Sequence, residues 1–202
     1  MNTSPCWKSR LAVFFFLSLS FSILPARAQD LPFVAGIRMA IQVPSKKVSR
    51  EGVDSYIGGG GDIGLSLQKH LDLLGGVEYI QGRNQNTFAV YDRQGNILDT
   101  GFLSESALSG FFSLRWRLWN KTTPFFGAGV GGSRLTWKVS DYKESANAPL
   151  FEAFSGYEFA TSEHFRLDLE LRFRSQKADV DWGGVPNDLT GFQFSVGSHY
   201  NW

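Results

Sequence analysis

Three histidines, one cysteine and a set of charged residues at alternate positions are the groups in this 202-residue chain that could do chemistry. Acyl transfer or hydrolysis requires a serine or cysteine activated by a histidine, usually with a third group to orient the imidazole. Ser198 and His199 are adjacent, but His70 and His164 fall in segments that read as turns, and Cys6 lies in the N-terminal apolar stretch. No grouping of His, Cys and Asp has the spacing of a metal site, and no cofactor is implied. The glycines at 58–61, 75–76 and 127–132 are not followed by the Lys-Ser/Thr of a phosphate loop. The charged set is more informative. Arg38, Asp62, Glu78, Arg115, Arg117, Glu152, Glu158, Arg166, Asp168, Glu170, Arg172 and Arg174 comprise six basic and six acidic residues. A buried charge is costly unless it is paired and hydrogen-bonded. A balanced set therefore points to an internal ion-pair network.

Period-two alternation is what places these charges. From Phe165 to Arg174 the apolar residues Phe165, Leu167, Leu169, Leu171 and Phe173 alternate with Arg166, Asp168, Glu170, Arg172 and Arg174. A helix would repeat its apolar positions every three or four residues instead. The same pattern recurs in eight segments. Ile37, Met39 and Ile41 oppose Arg38 and Gln42, and Ile57, Ile63, Leu65 and Leu67 oppose Asp62. Leu73, Val77 and Tyr79 oppose Glu78; Leu108, Phe112, Leu114, Trp116 and Leu118 oppose Arg115 and Arg117. Phe126, Ala128 and Val130 oppose glycines and Ser133; Phe151, Ala153, Tyr157 and Phe159 oppose Glu152 and Glu158, with Phe154 out of phase. The last segment alternates from Phe192 to Trp202. Long connections are expected at 44–54, 83–106, 134–149 and 176–190, and short ones near 68–71, 119–124 and 161–164. This predicts an all-β, eight-stranded antiparallel up-and-down barrel with both termini on its short-turn side.

The N-terminus reads as a cleaved secretory signal over residues 1–28. Lys8 and Arg10 precede a 14-residue apolar run, Leu11–Leu24, which ends near Ala26-Arg27-Ala28. That run is short of the roughly 20 residues of a spanning helix. The expected mature domain, residues 29–202, retains 17 basic and 19 acidic residues once Lys8, Arg10 and Arg27 are removed from the totals of 20 and 19. A net charge near −2 gives no basis for nucleic-acid binding. The 18 Phe, 6 Trp, 6 Tyr and 22 Gly suit strands, tight turns and membrane interfaces.

Alternation does not by itself say which face is outside, since a soluble eight-stranded barrel carries its apolar face inward. Mid-strand charges favour a membrane barrel, as do candidate girdle aromatics Trp119, Phe125, Phe159, Phe165, Tyr200 and Trp202. The final strand, with Phe192, Phe194, Val196, Tyr200 and Trp202, resembles the assembly signal of bacterial outer-membrane proteins. The stretch 124–131 resembles the glycine-rich fifth strand of OmpA-like, OmpX-like and opacity-type barrels. The resemblance implies an outer-membrane location, contact with lipid and lipopolysaccharide, recognition by the barrel-assembly machinery, and a monomer. It implies a barrel without the peptidoglycan-binding half of larger OmpA-like proteins.

A structural, envelope-protective or adhesive role through the loops is the expected function. The alternatives are a lipid A acyltransferase or deacylase, as some eight-stranded outer-membrane barrels are, and a narrow ion pore. Ser198-His199-Tyr200 resembles the deacylase histidine region but sits at the periplasmic end, away from the outer-leaflet substrate. Among the loops, Lys46, Lys47 and Arg50 are candidate contacts to acidic glycans or a host ligand, and Trp137, Tyr142 and Trp182 are candidate contact aromatics. Strands three and four are expected to continue as a protruding hairpin around 92–96.

N-terminal sequencing of protein from the outer-membrane fraction should find a start at Gln29, within a residue or two. Folded surface protein that retains Met1 would overturn the signal reading.

Overall fold

The computed structural model describes residues 33–45, 53–91, 94–119, 122–178 and 188–202. The expected signal segment, Lys46, Lys47, Arg50 and Trp182 lie outside these residues. Eight antiparallel strands follow in chain order: β1 (Phe33–Pro44), β2 (Tyr56–Gln68), β3 (Leu71–Tyr91), β4 (Ile97–Arg117), β5 (Thr123–Val139), β6 (Tyr142–Ala160), β7 (Phe165–Gln176) and β8 (Gly191–Asn201). Each pairs with its sequence neighbours, and β1 pairs with β8, so the barrel is closed. Closure leaves no sheet edge within the barrel wall.

Which face is outside is now settled. Ile37, Met39, Val77, Phe112, Leu169 and Phe194 project from the exterior, and Phe112 is 69% exposed while its neighbour Phe111 is 3% exposed. An apolar belt of this extent needs lipid around it. The soluble alternative, with its apolar face inward at this level, is excluded.

Among the described residues three phenylalanines nevertheless point inward. Phe154 is the residue out of phase on β6, and Phe111 and Phe125 join it inside. Phe125 is thus not a girdle residue. It adjoins the outward Phe126, and consecutive strand residues must face opposite sides. Each inward ring lies over a glycine of a neighbouring strand. A Cβ on Gly76 would stand 2.5 Å from Phe111, one on Gly127 2.3 Å from Phe154, and one on Gly156 2.5 Å from Phe125. The glycine-rich strands therefore make room for aromatic fillers.

The upper strands run further than their alternation suggested. The β3–β4 hairpin extends to the expected turn, with Gly95 at φ 86°. The 134–149 segment, expected as a loop, is instead the continuation of β5 and β6 to a two-residue turn at Ser140 and Asp141. Odd-numbered β5 residues face inward throughout, but Leu135, Trp137 and Val139 are apolar where 127–131 are glycine or outward-alternating. The apolar face has switched from outside to inside, and in sequence that phase change looks like the end of a strand.

Gly127→Val should destabilise the barrel by at least the roughly 1–3 kcal/mol of overpacking, because the new side chain meets Phe154 and the Leu114 carbonyl. Gly110→Ala, with nothing within 4 Å, should be neutral. Urea unfolding of the two variants in vesicles, followed by tryptophan fluorescence, checks this; equal midpoints would refute the ring-over-glycine packing.

Candidate functional site

The interior is stacked in three layers along the barrel axis. The lowest and thickest is ionic. Arg38, at the centre, reaches Asp62 at 3.0 Å from Nη2, Glu78 at 3.5 Å from Nε and Glu170 at 3.7 Å from Nη1. Arg172 bridges Glu152 and Glu170, each at 2.7 Å. Arg174 pairs with Glu78 and, at 3.1 Å, with Glu152. Towards the short turns, Glu158 receives both Arg115 and Arg166. His199 has one carboxylate at each ring nitrogen, Asp62 at 3.2 Å from Nε2 and Asp168 at 3.1 Å from Nδ1. Arg117 pairs with Asp72 at 2.8 Å.

All twelve charges singled out in the sequence thus lie in this layer, eleven of them in ion pairs between arginine and carboxylate and Asp168 against the His199 imidazole. Asp72 and His199 complete it. Asp72 was missed because its segment was read from Leu73, two residues after the strand begins at Leu71; its even number already placed it on the face of Glu78. The guanidiniums are further held by the inward rings. Arg115 lies 3.9 Å from the Phe125 centroid, Arg172 4.6 Å from Phe154 and Arg38 4.9 Å from Phe111. Cation–π attraction strengthens where water is excluded.

Above the ions is a thin neutral polar layer. Gln176 Nε2 donates to Ser109 Oγ at 3.0 Å and to Ser133 Oγ at 2.7 Å, and the two hydroxyls are 2.9 Å apart. The third layer is apolar: Val53, Tyr56, Ile80, Leu103, Ala107, Leu135, Trp137, Val139, Ala146, Ala148, Ala178 and Leu189 pack as one buried cluster. Within it the Tyr56 hydroxyl donates to the Glu105 carboxylate. Trp137, expected as a contact aromatic on a loop, belongs to this cluster with 4% exposure. Its odd position on β5 turns the indole inward, into the buried cluster.

Outside, the polarity is reversed. Arg134 and Lys138 project from β5 above the belt, and Lys143 from β6. Tyr142, half-buried at the turn, donates to Glu144 at 2.6 Å. Asp99 of β4 fastens that turn, its Oδ2 accepting from the Asp141 and Tyr142 N–H groups at 3.0 and 3.1 Å. Desolvation raises the Asp99 pKa, but the backbone donors of Thr100, Tyr142 and Asp141 outweigh it and hold the carboxyl below the ordinary range. On β8, Phe192, Phe194, Val196 and Tyr200 face outward, and the Trp202 N–H donates to the Phe33 carbonyl at 3.1 Å.

Residues 14–201 match the outer membrane protein beta-barrel domain. The sequence matches no curated protein. Neisserial surface protein A superposes with a TM-score of 0.57 at 15% identity, covering 84% of this chain and 97% of that one. The outer membrane protein OprG from Pseudomonas aeruginosa superposes with a TM-score of 0.55 at 12% identity, covering 85% of this chain and 96% of that one. At these identities the likeness is one of fold.

Removing one member of a buried pair leaves a charge unpaired. Arg174→Met should cost about 3–5 kcal/mol, and adding Glu78→Gln should recover part of that loss. Urea unfolding of the singles and the double checks it; strictly additive losses would mean that Arg174 and Glu78 do not interact.

Proposed function

The chain belongs to the outer membrane protein beta-barrel domain family, and we propose that it is a non-enzymatic member with a structural, envelope-protective or adhesive role carried by its extracellular strands and loops. The observation that carries this reading is the filled interior. An ionic layer topped by a packed apolar cluster occupies the lumen that an ion path or an internal ligand would need. Eight strands enclose a space that side chains can fill. What remains for recognition is the outer surface, chiefly the β3–β4 hairpin, whose tip exposes Tyr91, Ile97 and Leu98.

The enzymatic alternative finds little support in the geometry. Ser198 and His199 are consecutive on β8 and face opposite sides of the wall. His199 is buried among Asp62, Asp168 and Arg115, near the periplasmic end. His164 lies in a short turn with Nδ1 2.9 Å from the Asn201 carbonyl oxygen. During biogenesis, Phe192, Phe194, Val196, Tyr200 and Trp202 present the outward pattern suited to the assembly machinery, and the folded chain acts as a monomer.

A strain carrying the chain with residues 86–100 replaced by Asn-Gly should insert a heat-modifiable barrel. It should nonetheless show the envelope sensitivity and reduced surface binding of the deletion strain. Wild-type behaviour from the shortened chain would place the function elsewhere than the hairpin.

A further inference from the structure

One wall of the barrel above the apolar belt carries four outward basic residues: Arg83 on β3, Arg134 and Lys138 on β5, and Lys143 on β6, all exposed. Strand register links three of them. Arg83 lies opposite Ser104, Ser104 opposite Lys138, and Lys138 opposite Lys143. A single row of paired residues therefore runs Arg83–Ser104–Lys138–Lys143 across four strands. Arg134 shares the outer face of β5, four residues nearer the belt, and lies opposite Leu108 and Asn147.

Two like charges directly opposite on neighbouring strands repel, and here nothing within the described residues relieves the repulsion by an ion pair. The outward neighbours Ser106, Thr136, Ser145 and Asn147 are neutral, and the Thr136 and Ser145 hydroxyls bond each other at 3.0 Å. Nearby carboxylates are engaged elsewhere. Glu105 takes the Tyr56 hydroxyl inside the barrel, Glu144 takes the Tyr142 hydroxyl, and Asp99 takes backbone N–H groups. Asp141 sits beyond the row, at the tip of the turn. Arg83 is held outward with its guanidinium 4.8 Å from the Phe102 ring centroid.

The position along the strands says what meets this wall. Arg83 stands twelve residues beyond Leu71, where β3 starts, and Arg134 eleven beyond Thr123, where β5 starts. A tilted strand crosses the hydrocarbon in roughly 9–11 residues. Both guanidiniums thus emerge at the outer hydrocarbon boundary, and the lysine pair lies further out. We propose that this wall is a binding site for the phosphate groups of the outer-leaflet glycolipid. Arg83 and Arg134 hold phosphate at the boundary, where a guanidinium can donate two parallel hydrogen bonds. A second phosphate lies between the Lys138 and Lys143 ammonium groups and removes their repulsion. The site rests on the outer-membrane reading above and adds to it a defined lipid contact on the β3–β6 wall.

The test uses the mature chain folded in phosphatidylcholine vesicles, with and without lipopolysaccharide, in a chelator and treated with an amine-acetylating reagent. Modification of Lys138 and Lys143 is read by mass spectrometry, with Lys177 on β7's side of the barrel as reference. Lipopolysaccharide should protect Lys138 and Lys143 severalfold and leave Lys177 unchanged, and its dephosphorylated form should not protect. At about fivefold per surface cation, Lys138→Gln or Lys143→Gln should weaken lipopolysaccharide retention about fivefold and the double variant about twenty-five-fold. Equal acetylation with and without lipopolysaccharide overturns the proposal, as does equal protection by the dephosphorylated form or by inorganic phosphate. Loss of the heat-modifiable form in phosphatidylcholine alone would instead count against the barrel reading, so the two failures are distinguishable.

Discussion

A narrow closed barrel can bury arginines only if each meets a carboxylate before it is shut away from water. Arg38, Arg115, Arg117, Arg166, Arg172 and Arg174 do so here, through Asp62, Asp72, Glu78, Glu152, Glu158 and Glu170. The partners come from different strands. Arg174 of β7 meets Glu78 of β3 across the lumen, and Arg38 of β1 reaches β2, β3 and β7. The network therefore depends on closure and on register together, since a slip of one residue would turn its charges into lipid. The glycines serve the same end. They admit the rings of Phe111, Phe125 and Phe154, which fill the space beside the guanidiniums and exclude water that would weaken the pairs.

The ionic layer ends where the environment outside changes. Around the belt the exterior is lipid and the interior polar. Above it the exterior is aqueous and the interior becomes the apolar cluster around Leu103, Leu135 and Trp137. The upper strands thus follow the rule of a soluble barrel and the lower strands that of a membrane barrel, on one continuous ladder of hydrogen bonds. Gln176, Ser109 and Ser133 form the seam. The upper cluster makes the long strands stable without lipid around them, which lets a rigid four-stranded face stand above the membrane instead of a set of loose loops.

Much of this was legible in the sequence. Strict alternation on the seventh segment put Leu169 and Glu170 on opposite faces, the mid-strand charges and terminal aromatics chose Leu169 as the outward one, and eight such segments with alternating connection lengths dictated an up-and-down barrel. Trans-lumen partners were not legible, because register across a barrel depends on closure rather than on local spacing. Phe125 and Trp137 were misplaced for related reasons. Phe125 adjoins another aromatic, so alternation could be read from either, and Trp137 lies beyond the point where the apolar face changes sides. The outer basic row was invisible for the same reason, since 134–149 read as loop.

The change of face along β5 is tested most directly by a cysteine scan in a Cys6→Ser background, with the folded chain in vesicles and a water-soluble thiol reagent. Cysteines replacing Phe126, Ala128 and Val130 should be shielded by lipid, those replacing Arg134, Thr136 and Lys138 should react, and those replacing Leu135 and Val139 should stay shielded inside the barrel. Reaction at Leu135 and Val139 as fast as at Thr136 would contradict the reversal and return 134–149 to an exposed loop.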